Sequence, residues 1–97
     1  MSSDALLDRA LHAIADPTRR RILQVLKDGK NSGIRPGFLC GGDIEESVRL
    51  SQPTISHHMA ILTKAGLVEA TKQGQWRWYR RNEKAIRQVV KSLRGKL

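Results

Sequence analysis

Residues 50–68 read Leu50-Ser51-Gln52-Pro53-Thr54-Ile55-Ser56-His57-His58-Met59-Ala60-Ile61-Leu62-Thr63-Lys64-Ala65-Gly66-Leu67-Val68, and this stretch constrains the fold more than any other. A helix advances about 100° per residue, so Ile55, Met59 and Leu62 fall on one apolar stripe at i, i+4, i+7 spacing. Pro53, Ser56, His57, Ala60 and Lys64 fall on the opposite side. An ordinary surface helix fills that side with Glu, Lys and Arg; here it carries short polar or tiny side chains and no acid. Short side chains let a helix backbone approach base edges, hydroxyls and imidazoles can bond there, and the missing acids avoid repelling phosphates. Ser51 stands where an N-cap is wanted, with Thr54 three residues on, and Gly66 stands just past the last turn. The competing reading is a plain amphipathic helix with a quiet outer face.

The flanks decide between the two. Residues 4–15 make a first helix with Leu6, Leu7, Ala10, Leu11 and Ile14 on a broad apolar face. Asp16-Pro17 ends it and starts a second, about 17–27, because Asp caps and Pro fits a first turn. A glycine-rich stretch, 29–42, precedes a short third helix for which Asp43 is the expected cap and Glu46 the capping-box partner, with Ile44 and Val48 as its apolar contacts. A turn at Arg49-Leu50 leads into the Ser51 helix, which makes a helix-turn-helix. After Gly66 the pattern becomes strand–turn–strand: residues 67–71 and 75–81 flank Lys72-Gln73-Gly74. Trp76, Trp78 and Arg80 share one face of the outgoing strand, and Gln75, Arg77, Tyr79 and Arg81 the other. The two tryptophans are read as packing residues, with stacking platforms for bases as the alternative. A basic hairpin after such a helix is a wing, placed to reach an adjacent groove. Asn82 caps a last helix, about 83–94, with Ile86, Val89, Val90 and Leu93 at near-heptad spacing.

The expected fold is therefore mostly α with a small β-hairpin wing: a winged helix-turn-helix in which four helices precede the two strands and a fifth follows. It is read as one domain over residues 1–97, with the recognition helix at about 51–65 and the wing at about 67–81. Charge points the same way. The 18 Lys+Arg against 9 Asp+Glu leave a formal net charge of +9, which suits a polyanionic partner. No apolar run approaches the ~20 residues that span a bilayer, and no basic-then-apolar leader opens the chain, so no membrane partner is expected. One cysteine, Cys40, excludes an intrachain disulfide and suits a reducing cytoplasm.

In order, Asp16-Pro17-Thr18-Arg19-Arg20-Arg21-Ile22-Leu23, Leu39-Cys40-Gly41-Gly42-Asp43-Ile44, the 50–68 segment, the wing and the final helix resemble the ArsR/SmtB family of bacterial transcriptional repressors over about residues 5–94. The resemblance implies a homodimer that binds an operator, is released by an effector, and dimerises through its first and last helices. On that reading Leu6, Leu7, Ala10, Leu11, Ile86, Val89, Val90 and Leu93 form the dimer interface. The family's thiolate metal site lies in a Leu-Cys-x-Cys-Asp-Leu pattern, and Gly42 stands at its second cysteine. Its other common site uses Asp and His on the last helix, where 83–94 contain neither. No metal and no cofactor are therefore expected. Residues 30–38 look longer than the family's loop; an exposed insertion is usually tolerated without meaning, and this one could equally shape an effector pocket.

Ser51, Gln52, Ser56 and His57 are the candidates for base edges, Gln because it can pair bidentately with adenine. Thr54, His58, Lys64, Lys72, Gln73, Gln75, Arg77 and Arg80 are the candidates for the DNA backbone, where charge supplies affinity without sequence information. His58 could equally pack inward. Arg19, Arg20 and Arg21 read as a solvated basic run, with Arg20 the one that could approach phosphate. Cys40 is either a small buried residue or a thiol sensor. The function expected is a sequence-specific regulator of transcription, a repressor acting as a homodimer on a pseudo-palindromic operator in the cytoplasm, associated with a bacterial nucleoid. The alternative is a basic RNA-binding or protein-interaction winged-helix module. Paired catalytic carboxylates, a nucleophile–base constellation and a phosphate loop are all missing, so an enzyme is not expected.

Overall fold

Asp16 sets the first corner of the chain. Its backbone is extended (φ −88°, ψ 127°) and its carboxylate accepts from the amides of Thr18 and Arg19 at 2.7 and 3.1 Å. That satisfies two of the four amides that a helix start leaves unpaired. Helix α2 (Pro17–Asp28) starts there, and α1 (Ser3–Ile14) ends two residues before. The computed structural model describes residues 3–29 and 35–97. After α2 come β1 (Leu39–Cys40), α3 (Gly41–Val48), α4 (Gln52–Lys64), β2 (Val68–Gln73), β3 (Trp76–Arg81) and α5 (Glu83–Lys96). The element order is the winged helix-turn-helix expected, with one strand added. No helix among the described residues is long and apolar enough to cross a membrane.

The core lies where α2, α3 and α4 meet the base of the hairpin. Ile22, Ile44, Met59, Leu62, Leu67 and Val68 are its largest fully buried side chains. Ile55, Met59 and Leu62 bury the stripe expected of α4. Each such side chain contributes about 1.5–3 kcal/mol by leaving water. Arg49, in the left-handed region (φ 57°, ψ 45°), turns the chain between α3 and α4, and its amide donates to the Glu45 carbonyl. Gly66 (φ +79°) does the same after α4, where a β-carbon would be strained.

Several expectations are corrected. Helix α3 starts at Gly41, not after Asp43; pairing of Cys40 with Trp78 in the sheet ends the strand there, and the helix follows at once. Asp43 therefore sits inside the first turn and accepts from the Cys40 thiol at 3.2 Å. Ser51 does hold the N-cap position, but its hydroxyl bonds the Thr54 hydroxyl at 3.0 Å and no backbone amide. The wing turns on two residues, Gly74 and Gln75, so Lys72 and Gln73 belong to β2. Gly74 (φ +60°) provides the positive φ that two-residue hairpins need.

The sheet has three strands in the order β1-β3-β2, all antiparallel. Leu39 faces Tyr79, and both are buried. With a two-residue period, Tyr79 on the core side sends Trp76 and Trp78 to the other face. Trp78 is half-buried but Trp76 is 56% exposed, so Trp76 is not the packing residue expected. Asn82 caps α5 as expected, accepting from the Ala85 amide at 3.1 Å.

Candidate nucleic-acid interface

The N-terminal half of α4 carries the base-edge candidates on open surface. Ser51, Gln52, Ser56 and His57 are all exposed, as is Thr54. They are ordered pairwise: the Gln52 amide donates to the Ser56 hydroxyl at 2.8 Å, one turn on, and Ser51 bonds Thr54. Such pairs hold long side chains in one rotamer before any ligand arrives, which reduces the entropy lost on binding. The wing reaches the same place. Gln52 and Ser56 line one cleft with Gln75, Trp76 and Arg77, so the helix start and the hairpin tip form a continuous surface. Residue Trp76 belongs to that surface, although alternation with its neighbours could not show which strand face is open.

The wing's charges divide into two kinds. Arg80 pairs with Glu69 across the strands, its guanidinium 2.8 and 3.1 Å from one carboxylate oxygen. It also lies over the Phe38 ring at 5.0 Å, as does Arg35 at 4.3 Å. Arg80 is thus already partnered. Lys72 and Arg77, by contrast, stand directly opposite each other in the β2–β3 register, both exposed. Like charges facing across strands are destabilising, and an anion between them relieves that repulsion. Gln73 and Gln75 are exposed at the tip, and Lys64 is exposed on the last residue of α4.

His58 takes its packed alternative, and of the arginine run Arg19 departs from the solvated reading while Arg20 and Arg21 are exposed. Arg19 is buried at 7% exposure. Its Nε donates to the Ala13 carbonyl at 2.6 Å and its Nη2 to the His12 carbonyl at 3.2 Å. Arg20 donates to the Ile14 carbonyl at 2.7 Å. Two arginines of α2 therefore cap the last carbonyls of α1, where a helix dipole favours cations. His58 is half-buried, with Nδ1 3.2 Å from Arg19 Nη1, so it turns toward α2 and away from the open face. Burial pushes its pKa below the usual histidine range, with Arg19 and His57 adding to the effect and Asp16 opposing it. The Arg19 amide, and to a lesser degree that of Thr18, holds the Asp16 carboxyl below its usual range.

Cys40 is half-buried, and burial raises its thiol pKa, reinforced by the Asp43 carboxylate that accepts its proton. A thiol held protonated is a poor nucleophile. Alkylation of Cys40 by iodoacetamide near neutral pH is expected to run severalfold slower in the folded chain than after unfolding in urea; equal or faster reaction in the folded chain would mark it as a reactive thiol. Among the described residues, no three His, Cys, Asp or Glu side chains are grouped to hold a metal ion. Residues 35–38 of the 30–38 segment are described, and 30–34 lie outside the described residues.

The candidate dimer residues split. Leu7 and Ala10 are buried within the chain itself, at 8% and 1% exposure. Leu11, Ile86, Val89 and Leu93 are half-buried, and Leu6 and Val90 are exposed at 52% and 62%. A groove between α1 and α5 is lined by Leu6, Leu7, Ala85 and Val89. None of the side chains of α5 is fully buried.

Comparison with known proteins agrees with this geometry. The chain is 38% identical over 79 residues to an uncharacterized HTH-type transcriptional regulator of Methanocaldococcus jannaschii, covering 81% of each chain. It is 34% identical over 84 residues to the transcriptional repressor SdpR of Bacillus subtilis, covering 87% of this chain and 84% of that one. The structure of HlyU from Vibrio cholerae superposes with a TM-score of 0.70 at 27% identity, covering 97% of this chain and 96% of that one. Residues 16–70 match the family model described as "Bacterial regulatory protein, arsR family". With more than half of its length in that match, the chain belongs to the arsR family of bacterial regulatory proteins.

Proposed function

We propose that this DNA-binding regulator is a repressor that acts as a symmetric homodimer on a two-fold-related operator. Its place in the family makes it a transcriptional regulator and not an enzyme. In the proposed complex α4 enters the major groove, with Ser51, Gln52, Ser56 and His57 at base edges and Thr54 beside the backbone. Lys64, Lys72, Gln73, Gln75 and Arg77 follow the phosphates. Arg80 contributes less, because Glu69 already neutralises it. The observation that carries the reading is the shared cleft: the polar start of α4 and the basic wing tip open onto one acid-poor surface. Among the described residues, Glu45 is the only acid lining it.

The exposed Leu6 and Val90, on helices that otherwise pack together, support a second copy against α1 and α5. A cytoplasmic location beside the nucleoid belongs to the same proposal. An RNA-binding module would need several rings on an open face. Here Tyr79 is buried, Trp78 half-buried and Phe38 covered by two guanidinium groups, which leaves Trp76.

Selection from a random-sequence duplex pool tests the proposal. Enrichment of a sequence with two-fold symmetry and half-site centres about 34 Å apart is expected. A pool that stays random, or enrichment only from single-stranded RNA, would contradict it.

A further inference from the structure

Helix α4 is tied to the end of α1 through two side chains, Arg19 and His58, by way of main-chain carbonyls of α1. Arg19 holds the His12 and Ala13 carbonyls with Nη2 and Nε, and its remaining nitrogen, Nη1, points at His58 Nδ1. A guanidinium in a protein has donors only and does not give up its proton. Nδ1 must therefore be the acceptor, and His58 must be neutral with its proton on Nε2. A second proton on Nδ1 would set N–H against N–H at 3.2 Å and place two cations side by side within a half-buried contact. Arg19 cannot move aside without abandoning the buried Ala13 carbonyl and the part-buried His12 carbonyl. The group that has to move is His58, and it sits on the helix that carries Gln52, Ser56 and His57.

We infer that Arg19 and His58 form a positioning pair that holds α4 in its DNA-reading pose only while His58 is neutral, so that mild acid loosens specific binding. The inference rests on the DNA-binding reading above. The groups whose charge reaches His58 are Asp16 at the start of α2, Arg19 on α2 and its neighbour His57 on α4. Helix α1 brings Arg9 and His12 alongside Ile61 and Lys64, further along α4. Asp16 favours the imidazolium, but it is itself engaged by the amides of Thr18 and Arg19. Asp16 opposes the neutral form less than burial, Arg19 and His57 together support it, and the His58 pKa lies below its ordinary value. The sign follows. A histidine whose folded pKa is depressed makes the folded, α4-fixed state bind fewer protons than a relaxed one. That state is favoured above the ordinary histidine pKa and loses ground as pH falls toward the folded pKa.

His58→Asn separates this from other titrations, because asparagine can accept from Arg19 without taking a proton, while every other titratable group is the same in both proteins. The probe is the duplex that the wild-type protein selects at about pH 7.5, with affinity read by fluorescence anisotropy and folding checked by circular dichroism at each pH. Between about pH 7.5 and pH 5.5, wild-type affinity for that duplex is expected to fall roughly threefold to tenfold further than that of His58→Asn. At about pH 7.5, the two should agree within roughly twofold. Parallel pH profiles in two folded proteins would overturn the positioning pair while leaving DNA binding intact. If no duplex is selected at any pH, the DNA-binding reading fails with it.

Discussion

Arg19→Ala is expected to lower the unfolding free energy by about 3 kcal/mol, because it strands the buried Ala13 carbonyl and leaves the His12 carbonyl with only the Ala15 amide at 3.4 Å. The side chain is 7% exposed and donates to two main-chain carbonyls and one imidazole. The Ala13 carbonyl is in a buried contact and carries the largest desolvation cost, while the part-buried His12 carbonyl and His58 imidazole add less. Arg20→Ala is the matched control. Arg20 is exposed, and the carbonyl it releases, Ile14, can be reached by water. Its expected cost is within about 1 kcal/mol. Arg19→Lys should fall between the two, since one ammonium group cannot span three acceptors in a fixed fork. Urea denaturation of the three variants measures these values. An Arg19→Ala shift no larger than that of Arg20→Ala would mean that the contacts capping α1 contribute little.

The difference between those two arginines also shows where the sequence stops being legible. Helix α4 could be read residue by residue, because its three buried positions follow the helical period and its turn ends in a glycine that takes positive φ. Asp16-Pro17 and Asn82 could be read as helix starts because capping is a local interaction. The helical period does put Arg19 on the stripe of Ile22, Leu23 and Leu26, with Arg20 and Arg21 off it, but no local pattern names the groups that would receive a buried guanidinium. What buries Arg19 is the end of α1 lying beside the start of α2, which is a fact of tertiary packing.

The wing was misread for a similar reason. A two-residue strand such as Leu39–Cys40 is too short to show any period, yet its pairing with β3 decides that Tyr79 faces the core. Without β1, the larger tryptophans looked like the packing residues. The turn begins two residues later than the sequence suggests, because Lys72-Gln73-Gly74 and Gly74-Gln75 both contain the glycine that a hairpin needs. The candidate contacts on α4 stand on the open face as read, with the exception of His58, whose packed alternative is the one the structure adopts.

Gln52→Ala addresses the claim that α4 reads bases. Gln52 is exposed at the first position of α4, and its amide is already oriented by Ser56. A well-placed bidentate amide is worth about 1–3 kcal/mol of discrimination between bases, or roughly 5-fold to 150-fold. Removing it should cost affinity for the selected duplex by that factor while leaving affinity for an unrelated duplex nearly unchanged. Lys72→Ala should act the other way, weakening both duplexes alike, because a phosphate contact carries no sequence information. The most direct measurement is therefore the ratio of affinities for the selected and the unrelated duplex, taken for wild type, Gln52→Ala and Lys72→Ala at one salt concentration. A ratio that collapses in Gln52→Ala and holds in Lys72→Ala is the expected result. A ratio unchanged by Gln52→Ala, or lost equally in both variants, would contradict the reading of α4 as the element that recognises DNA sequence.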